Sequence, residues 1–347
     1  MWSIGVDPHK RMCQLAALGA AGEVVQQQLP NTPAGWQQAL AWAARWPERR
    51  WAIEGSGALG RGLAQALLAA GERVYEVSPR WTAQVRRSAR KPGKSDALDA
   101  LAVARLAREQ AGSLPAVQPE DEVSTALALL SGQRDRLIQE QTCLINQLRG
   151  VLHQLDPVAE QQLPVLTSAA GQRAAQAIMT AAGGGLDALR ARLAGDLLER
   201  LDLLMRQQQA LQASLAELTR RHAGPLLRIA GVGVIVAAGL LAELGQPRPG
   251  FGPPQLAMLA GLAPLEASSS GLVRHRLNRG GNRRLNRLFH TIMLTQSRSE
   301  PRARAYLARR QAEGKTLREA QRALKRQLVG TVYRHWLDCW PPCQAAA

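Results

Sequence analysis

The sequence predicts an α/β domain followed by two mainly helical regions. Three observations predict it. Short strand-like and helical runs alternate through the first third, and apolar residues then recur every three or four positions across a long stretch poor in strand formers. The last third alternates apolar helical runs with loops rich in Gly and Ser. At 347 residues the chain is long enough for two domains plus a connector and for a sizeable core. The expected divisions are 1–115, 116–224 and 225–340, with 341–347 as a tail.

The first region is justified element by element. Trp2 to Asp7, Arg11 to Leu18 and Glu23 to Leu29 are three short strand-like runs, and Gly19 to Gly22 turns the chain between the last two, so a meander is expected. A helix from Thr32 to Arg45, a strand from Arg50 to Glu54, a helix from Ala58 to Ala70 ended by Gly71, and a strand from Arg73 to Val77 follow. Ser95 to Gln110 closes the region as a helix, with Ser95 as its N-cap and Leu98, Leu101, Ala102 and Leu106 at helical spacing. Three strands, then helix, strand, helix, strand, helix, is the element order of a ribonuclease-H-like domain.

In the middle region, Val123 to Gln154 and Leu186 to Arg221 read as two long amphipathic helices joined by a Gly- and Ala-rich stretch. They form a coiled-coil connector, either folded on itself as a bundle or pairing with another copy. The third region opens with Leu226 to Leu244, two apolar helices around Gly231-Val232-Gly233 in a helix-hairpin-helix-like arrangement. Helices are then expected from Gln255 to Gly261, Arg283 to Gln296 and Leu317 to Trp336.

Charge narrows the function. Lys and Arg total 44 against 27 Asp and Glu, a net +17 that calls for a polyanionic partner. The longest apolar run, Ile229 to Ala242, is shorter than the ~20 residues of a membrane span, and no apolar run precedes the first acid as in a signal peptide. Four scattered cysteines make no disulfide framework, so a cytoplasmic protein is expected. His335, Cys339 and Cys343 lack the fourth ligand and the spacing of a zinc site. The excess charge lies in the outer regions and concentrates in two acid-free runs. One holds Arg80, Arg86, Arg87, Arg90, Lys91 and Lys94; the other holds Arg274, Arg276, Arg279, Arg283, Arg284 and Arg287. Arginine supplies 39 of the 44 cations, and guanidinium grips phosphate bidentately, so both runs are expected to hold nucleic-acid backbone. Of the eight tryptophans, Trp81 alone falls in a basic run where it could stack on a base.

Four acids form the chemical constellation. Asp7 ends the first strand, Glu54 ends the fourth, and Asp96 and Asp99 stand three apart on one helix. In a ribonuclease-H-like sheet those strand ends are adjacent and the last helix crosses them. Carboxylates so gathered need a cation, and hard oxygen donors suit Mg²⁺, two of which can clamp the attacking and leaving oxygens of a phosphoryl transfer. His9, beside Asp7, either touches a substrate phosphate or simply ends the strand.

The motifs GVDPHK, IEGSGALG, KSDALDALAVARLA, AGLAPLEASSSG and RHRLNRGGNRRLNRL, in that order, resemble those of the insertion sequence one-ten family of transposases and the related Piv-type DNA invertases. The resemblance runs from Ile4 to about Trp336. It implies a RuvC-like N-terminal domain with an Asp-Glu-Asp-Asp metal site at Asp7, Glu54, Asp96 and Asp99, and a C-terminal transposase domain with a nucleophilic serine. That serine matches Ser270, which precedes Gly271, with Ser269 as the alternative in the run Ser268 to Ser270. The resemblance also implies a structured non-coding bridge RNA that pairs with donor and target DNA. Joining two duplexes requires several cuts, so a homo-oligomer is expected, a dimer assembling to a tetramer. The acids and the serine lie far apart in sequence, and the fold or a second protomer must unite them. Three rival readings share parts of this pattern: a Piv-type invertase, a RuvC-like Holliday junction nuclease using water, and a non-catalytic nucleic-acid-binding scaffold.

Overall fold

The computed structural model describes residues 1–78, 82, 96–110, 112, 114–266, 275, 276, 278 and 281–340, with only the backbone of Asp96, Glu266, His275 and Arg276. Two compact units result, Met1–Glu120 and Asp121–Ala347.

The first unit is built on a five-stranded sheet: β1 (Trp2–Pro8), β2 (Met12–Leu18), β3 (Val24–Pro30), β4 (Arg49–Glu54) and β5 (Val74–Val77). The spatial order is β3-β2-β1-β4-β5, with β1 to β3 an antiparallel meander and β1, β4 and β5 parallel. That is the ribonuclease-H-like order. Central β1 is apolar and covered on both faces, as a strand with parallel pairing should be, whereas edge strand β3 presents its glutamines outward. Ile4, Val6, Trp51 and Ile53 point to one face, where they pack with α1 (Pro33–Ala43) and α2 (Arg61–Ala69). By the two-residue period of a strand, Ser3, Gly5, Asp7, Ala52 and Glu54 point to the other face, toward α3 (Asp96–Glu109).

Most elements fall where the sequence pattern puts them, and the differences have local causes. Helix α2 starts at Arg61 rather than Ala58, because residues 55–60 form turns that begin at Gly55 with φ +69°. In α3 Ala102 and Leu106 are buried as the spacing predicts, but so are Ala100, Val103, Ala104 and Ala107, while Leu98 is exposed. Alanines predominate because the helix touches the sheet backbone to backbone at Gly5. Ser95 and Trp81 lie outside the described residues.

The second unit is helical. Helices α4 (Glu122–Leu155) and α7 (Leu186–His222) form a hairpin along Leu137, Leu144 and Leu204, capped at its far end by α5 (Pro157–Gln161) and α6 (Ala169–Thr180). At the near end Leu127 and Leu215 join a core with α9 (Val234–Leu244), α10 (Pro253–Leu259), α11 (Arg283–Ser299), α12 (Pro301–Ala312) and α13 (Leu317–Leu337). The boundary expected at 224 therefore falls inside this unit, because one core runs across it. The expected helix pair over Leu226–Leu244 is corrected: its first member, α8 (Gly224–Leu227), is a single turn. The chain beyond it enters the core irregularly, with Ile229 and Val232 buried and Gln296 donating to the Ala230 carbonyl at 2.7 Å. No helix among the described residues is long and apolar enough to cross a membrane.

Candidate active site

The acids of the first unit share one face. The parallel register pairs Val6 with Ile53, so Asp7 and Glu54 are the next residues on neighbouring strands about 4.8 Å apart, pointing the same way. Asp99 reaches that face from α3. It is 5% exposed and adjoins Ala100, the point of closest approach to β1, where a Cβ on Gly5 would stand 2.2 Å from the Ala100 carbonyl oxygen. Gly5 thus lets the helix sit low on the sheet face from which Asp7 and Glu54 project. Asp96 lies one helical turn earlier on α3.

Asp7 is also held by His9, whose Nε2 lies 3.2 Å from Asp7 Oδ2. The reading of His9 as a strand-end residue thereby gains a specific contact. Behind the acids, burial and then the Asp7 charge push the Cys13 thiol up to about 11, so it stays protonated and offers no thiolate to the site. A carboxylate-only donor set fits a hard dication. Among the described residues no three His, Cys, Asp or Glu side chains close around one ion position, and the side chain of Asp96 lies outside them.

In the second unit two short strands flank the serine motif. Strands β6 (Leu265–Glu266) and β7 (His275–Arg276) pair antiparallel, and the chain between them carries Ser268, Ser269, Ser270 and Gly271, which lie outside the described residues. The flanking motif residues lock both ends of this paired stem. Gly261, at φ +65°, meets Gly281 so closely that a Cβ on Gly281 would stand 2.3 Å from the Gly261 nitrogen. The Asn282 side-chain oxygen caps α11 by accepting from the Arg284 and Leu285 amides, and its Nδ2 donates to Glu243 at 2.7 Å. Asn286 and Asn278 donate to the Ala260 and Met258 carbonyls at 2.9 and 3.2 Å. Beside the stem opens a cleft of about 1030 Å³ that includes Pro264, Arg283 and Arg287.

The basic residues sort differently from their sequence grouping. Arg283 and Arg287 are exposed on the cleft. Arg284 is not available to nucleic acid in the same way, because it pairs with Glu243 at 3.1 Å and Asp135 at 3.2 Å and so braces α11 against α9 and α4. Arg274, Arg279, and the first run of Arg80, Arg86, Arg87, Arg90, Lys91 and Lys94 lie outside the described residues, as does the side chain of Arg276. Sequence reasoning missed the basic face of α13, where Arg322, Lys325 and Arg326 line the same cleft. Glu319 interrupts that run, so a search for acid-free runs passes over it; the spacing of three and four is the signal that finds it.

A ribonuclease-H-like sheet with acids on one face, joined to a helical unit with a basic cleft, defines a DNA-cleaving and strand-transferring enzyme, here a transposase. A family model described as a transposase, of the DEDD type, matches residues 4–157, and one described as a transposase of the IS116/IS110/IS902 family matches residues 223–308. The chain belongs to the IS110 family of insertion-element transposases. The 43.6 kDa protein of insertion element IS110 from Streptomyces coelicolor is 29% identical over 69% of this chain and 70% of its own length. The 42 kDa protein of IS900 from Mycobacterium paratuberculosis is 28% identical over 82% of each. The 44.8 kDa protein of IS116 from Streptomyces clavuligerus is 26% identical over 95% of this chain and 93% of its own. Two solved structures of Thermus thermophilus RuvC, one in complex with a Holliday junction substrate, align with 34% of this chain. They are 16% and 18% identical, with TM-scores of 0.26 and 0.27, and 99% and 100% of those chains are covered.

Proposed function

We propose that this transposase cuts and rejoins donor and target DNA with two sets of groups: the carboxylates of Asp7, Glu54, Asp96 and Asp99, holding Mg²⁺, and a serine nucleophile, Ser270, with Ser269 as the alternative. The observation that supports the reading is that strand register projects Asp7 and Glu54 from the sheet face on which α3, with buried Asp99, packs. When bound there, Mg²⁺ supplies positive charge against the charge that develops on a phosphoryl group and its leaving oxygen. The chain's own residues do the positioning. Strands β1 and β4 fix the spacing of Asp7 and Glu54, His9 orients Asp7, and α3 brings the Asp99 carboxylate in under cover from water.

In the second unit, the serine oxygen attacks the phosphorus of a phosphodiester, its proton leaves, and the scissile phosphorus–oxygen bond breaks to release a protonated sugar hydroxyl. A second hydroxyl then displaces the serine and the strand is rejoined. The locked stem of Gly261, Gly281, Asn282 and Asn286 supports the loop that carries Ser270. Guidance by a structured bridge RNA and assembly from dimer to tetramer rest on the resemblance to the family.

The test uses the full chain with Glu54→Gln and Asp99→Asn, each an isosteric loss of charge. Both should bind nucleic acid normally and lose strand cleavage at every Mg²⁺ concentration. Normal recombination by these variants would leave the non-catalytic scaffold as the reading. Sequencing the nucleic acid that co-purifies with the protein identifies the RNA: one recurrent structured species supports guidance, and a random sample contradicts it.

A further inference from the structure

The cleft beside the serine loop has two facing walls. Arg287 and His290 lie on α11, while Arg322, Lys325 and Arg326 lie on α13, with Lys315 just before it. Spacings of three and four residues put each helix's contribution on one side. We infer that this cleft seats a stretch of sugar-phosphate backbone, gripped by Arg322, Lys325 and Arg326 from α13 opposite Arg287 from α11. The inference shares with the proposed function only the premise that nucleic acid is the substrate.

Excess positive charge is the first argument. None of those six residues makes an ion pair among the described residues, whereas nearby arginines with a carboxylate in reach are paired, Arg284 with Asp135 and Glu243, Arg309 and Arg310 with Glu313. Glu319 is the one acid among the described residues that line the cleft, and its Oε2 is held by the Thr316 amide and hydroxyl at 2.9 and 2.7 Å in a capping box. Glu319 offsets part of the charge of Arg322 and Lys315, but one carboxylate among these cations leaves a net attraction for a polyanion.

The setting of Lys325 is the second. Its Nζ donates to Asn286 Oδ1 at 3.3 Å, and Asn286 donates in turn to the Ala260 carbonyl at 2.9 Å, so the amine is fixed to the root of the serine loop. Burial and then Arg322 lower its pKa, and burial and then Lys325 lower that of His290. Both groups sit where positive charge is held at a cost that a bound phosphate reverses.

Shape and lining are the third. At about 1030 Å³ the cleft lies at the top of the ~300–1,000 Å³ range of small-molecule sites, and among the described residues no Phe, Tyr or Trp lines it. Base stacking needs such rings, so the cleft suits the backbone common to DNA and RNA.

The test is fluorescence anisotropy with a labelled single-stranded oligonucleotide, in one DNA arm and one RNA arm, on the full chain across a salt series. Arg322→Ala/Arg326→Ala should weaken binding about tenfold and flatten the log–log salt slope by roughly 0.7 for each phosphate that is no longer neutralised. The arm with the larger drop in affinity identifies which strand occupies the cleft. A control that also removes two cations, Arg206→Ala/Arg221→Ala on α7, should change little, since both pair with acids of their own helix. Equal weakening by the two double variants would overturn the inference. Unaltered binding by the cleft variants defeats the cleft while leaving the serine reading intact. Failure of wild type to bind either strand defeats the shared premise. If the double variant misfolds, the five lysines of the chain allow a second measurement: reductive ¹³C-methylation, with the Lys325 signal assigned by Lys325→Arg. Oligonucleotide should shift that signal and move its titration to higher pH; an unmoved signal contradicts the inference.

Discussion

Gly5 of β1 and Ala100 of α3 touch backbone to backbone: a Cβ on Gly5 would stand 2.2 Å from the Ala100 carbonyl oxygen and 2.3 Å from the Ala104 nitrogen. The contact lies two residues before Asp7 and one residue after Asp99, so the packing of α3 on the sheet bears on both acids.

Gly5→Ala must push α3 off the sheet. A loss of about 1–3 kcal/mol in stability is expected from overpacking. Urea unfolding measures that loss, and strand cleavage should fall much further than stability, with nucleic-acid binding kept. A variant that remains as active as wild type would break the link between this contact and the site.

Asn282 joins the serine-loop stem to α11 and to Glu243. Asn282→Ala removes a helix cap and should cost about 1–2 kcal/mol. Asn282→Ser keeps a cap and loses the Glu243 bond, so its melting temperature should fall between those of wild type and the alanine variant.

Arg284 and Arg287 stand three apart on one helix and should behave oppositely. Arg284→Ala breaks two part-exposed ion pairs, a loss of about 1 kcal/mol after screening by solvent, and should leave the salt dependence of binding unchanged. Arg287→Ala should leave stability near wild type and flatten that dependence. Melting curves and binding titrations on both variants check the contrast.

These two arginines also show how far the sequence can be read. Of the acid-free run from Arg274 to Arg287, Arg283 and Arg287 line the cleft, but only the fold shows that Asp135, distant in sequence, pairs with Arg284. Strand order, the two long helices and the acids at strand ends were legible because apolar periodicity and chain order determine them. Helix α6 was not, since Ala169–Thr180 is a short alanine-rich segment whose N-cap Ser168 sits in a stretch that composition marks as a linker. The single turn α8 was overestimated because an apolar run reads as a helix even where it crosses a core irregularly.

His290 makes binding depend on pH. Burial first, and Lys325 second, place its pKa below the ordinary 6.5, so it is neutral at pH 7. Its folded value lies below its unfolded value, so protonation disfavours the fold, and this destabilisation grows as pH falls below 6.5. Phosphate in the cleft opposes that. Oligonucleotide affinity should therefore rise toward mildly acidic pH in wild type, and His290→Asn should remove most of the rise.

The measurement closest to the central claim is the trapping of a covalent intermediate. Labelled DNA incubated with the full chain, its co-purified RNA and Mg²⁺ should yield a protein–DNA adduct that peptide mass spectrometry places on Ser270. Ser268→Ala should retain the adduct and Ser270→Ala should lose both adduct and cleavage. Full strand cleavage by Ser270→Ala, with no adduct on any serine of the loop, would contradict the account.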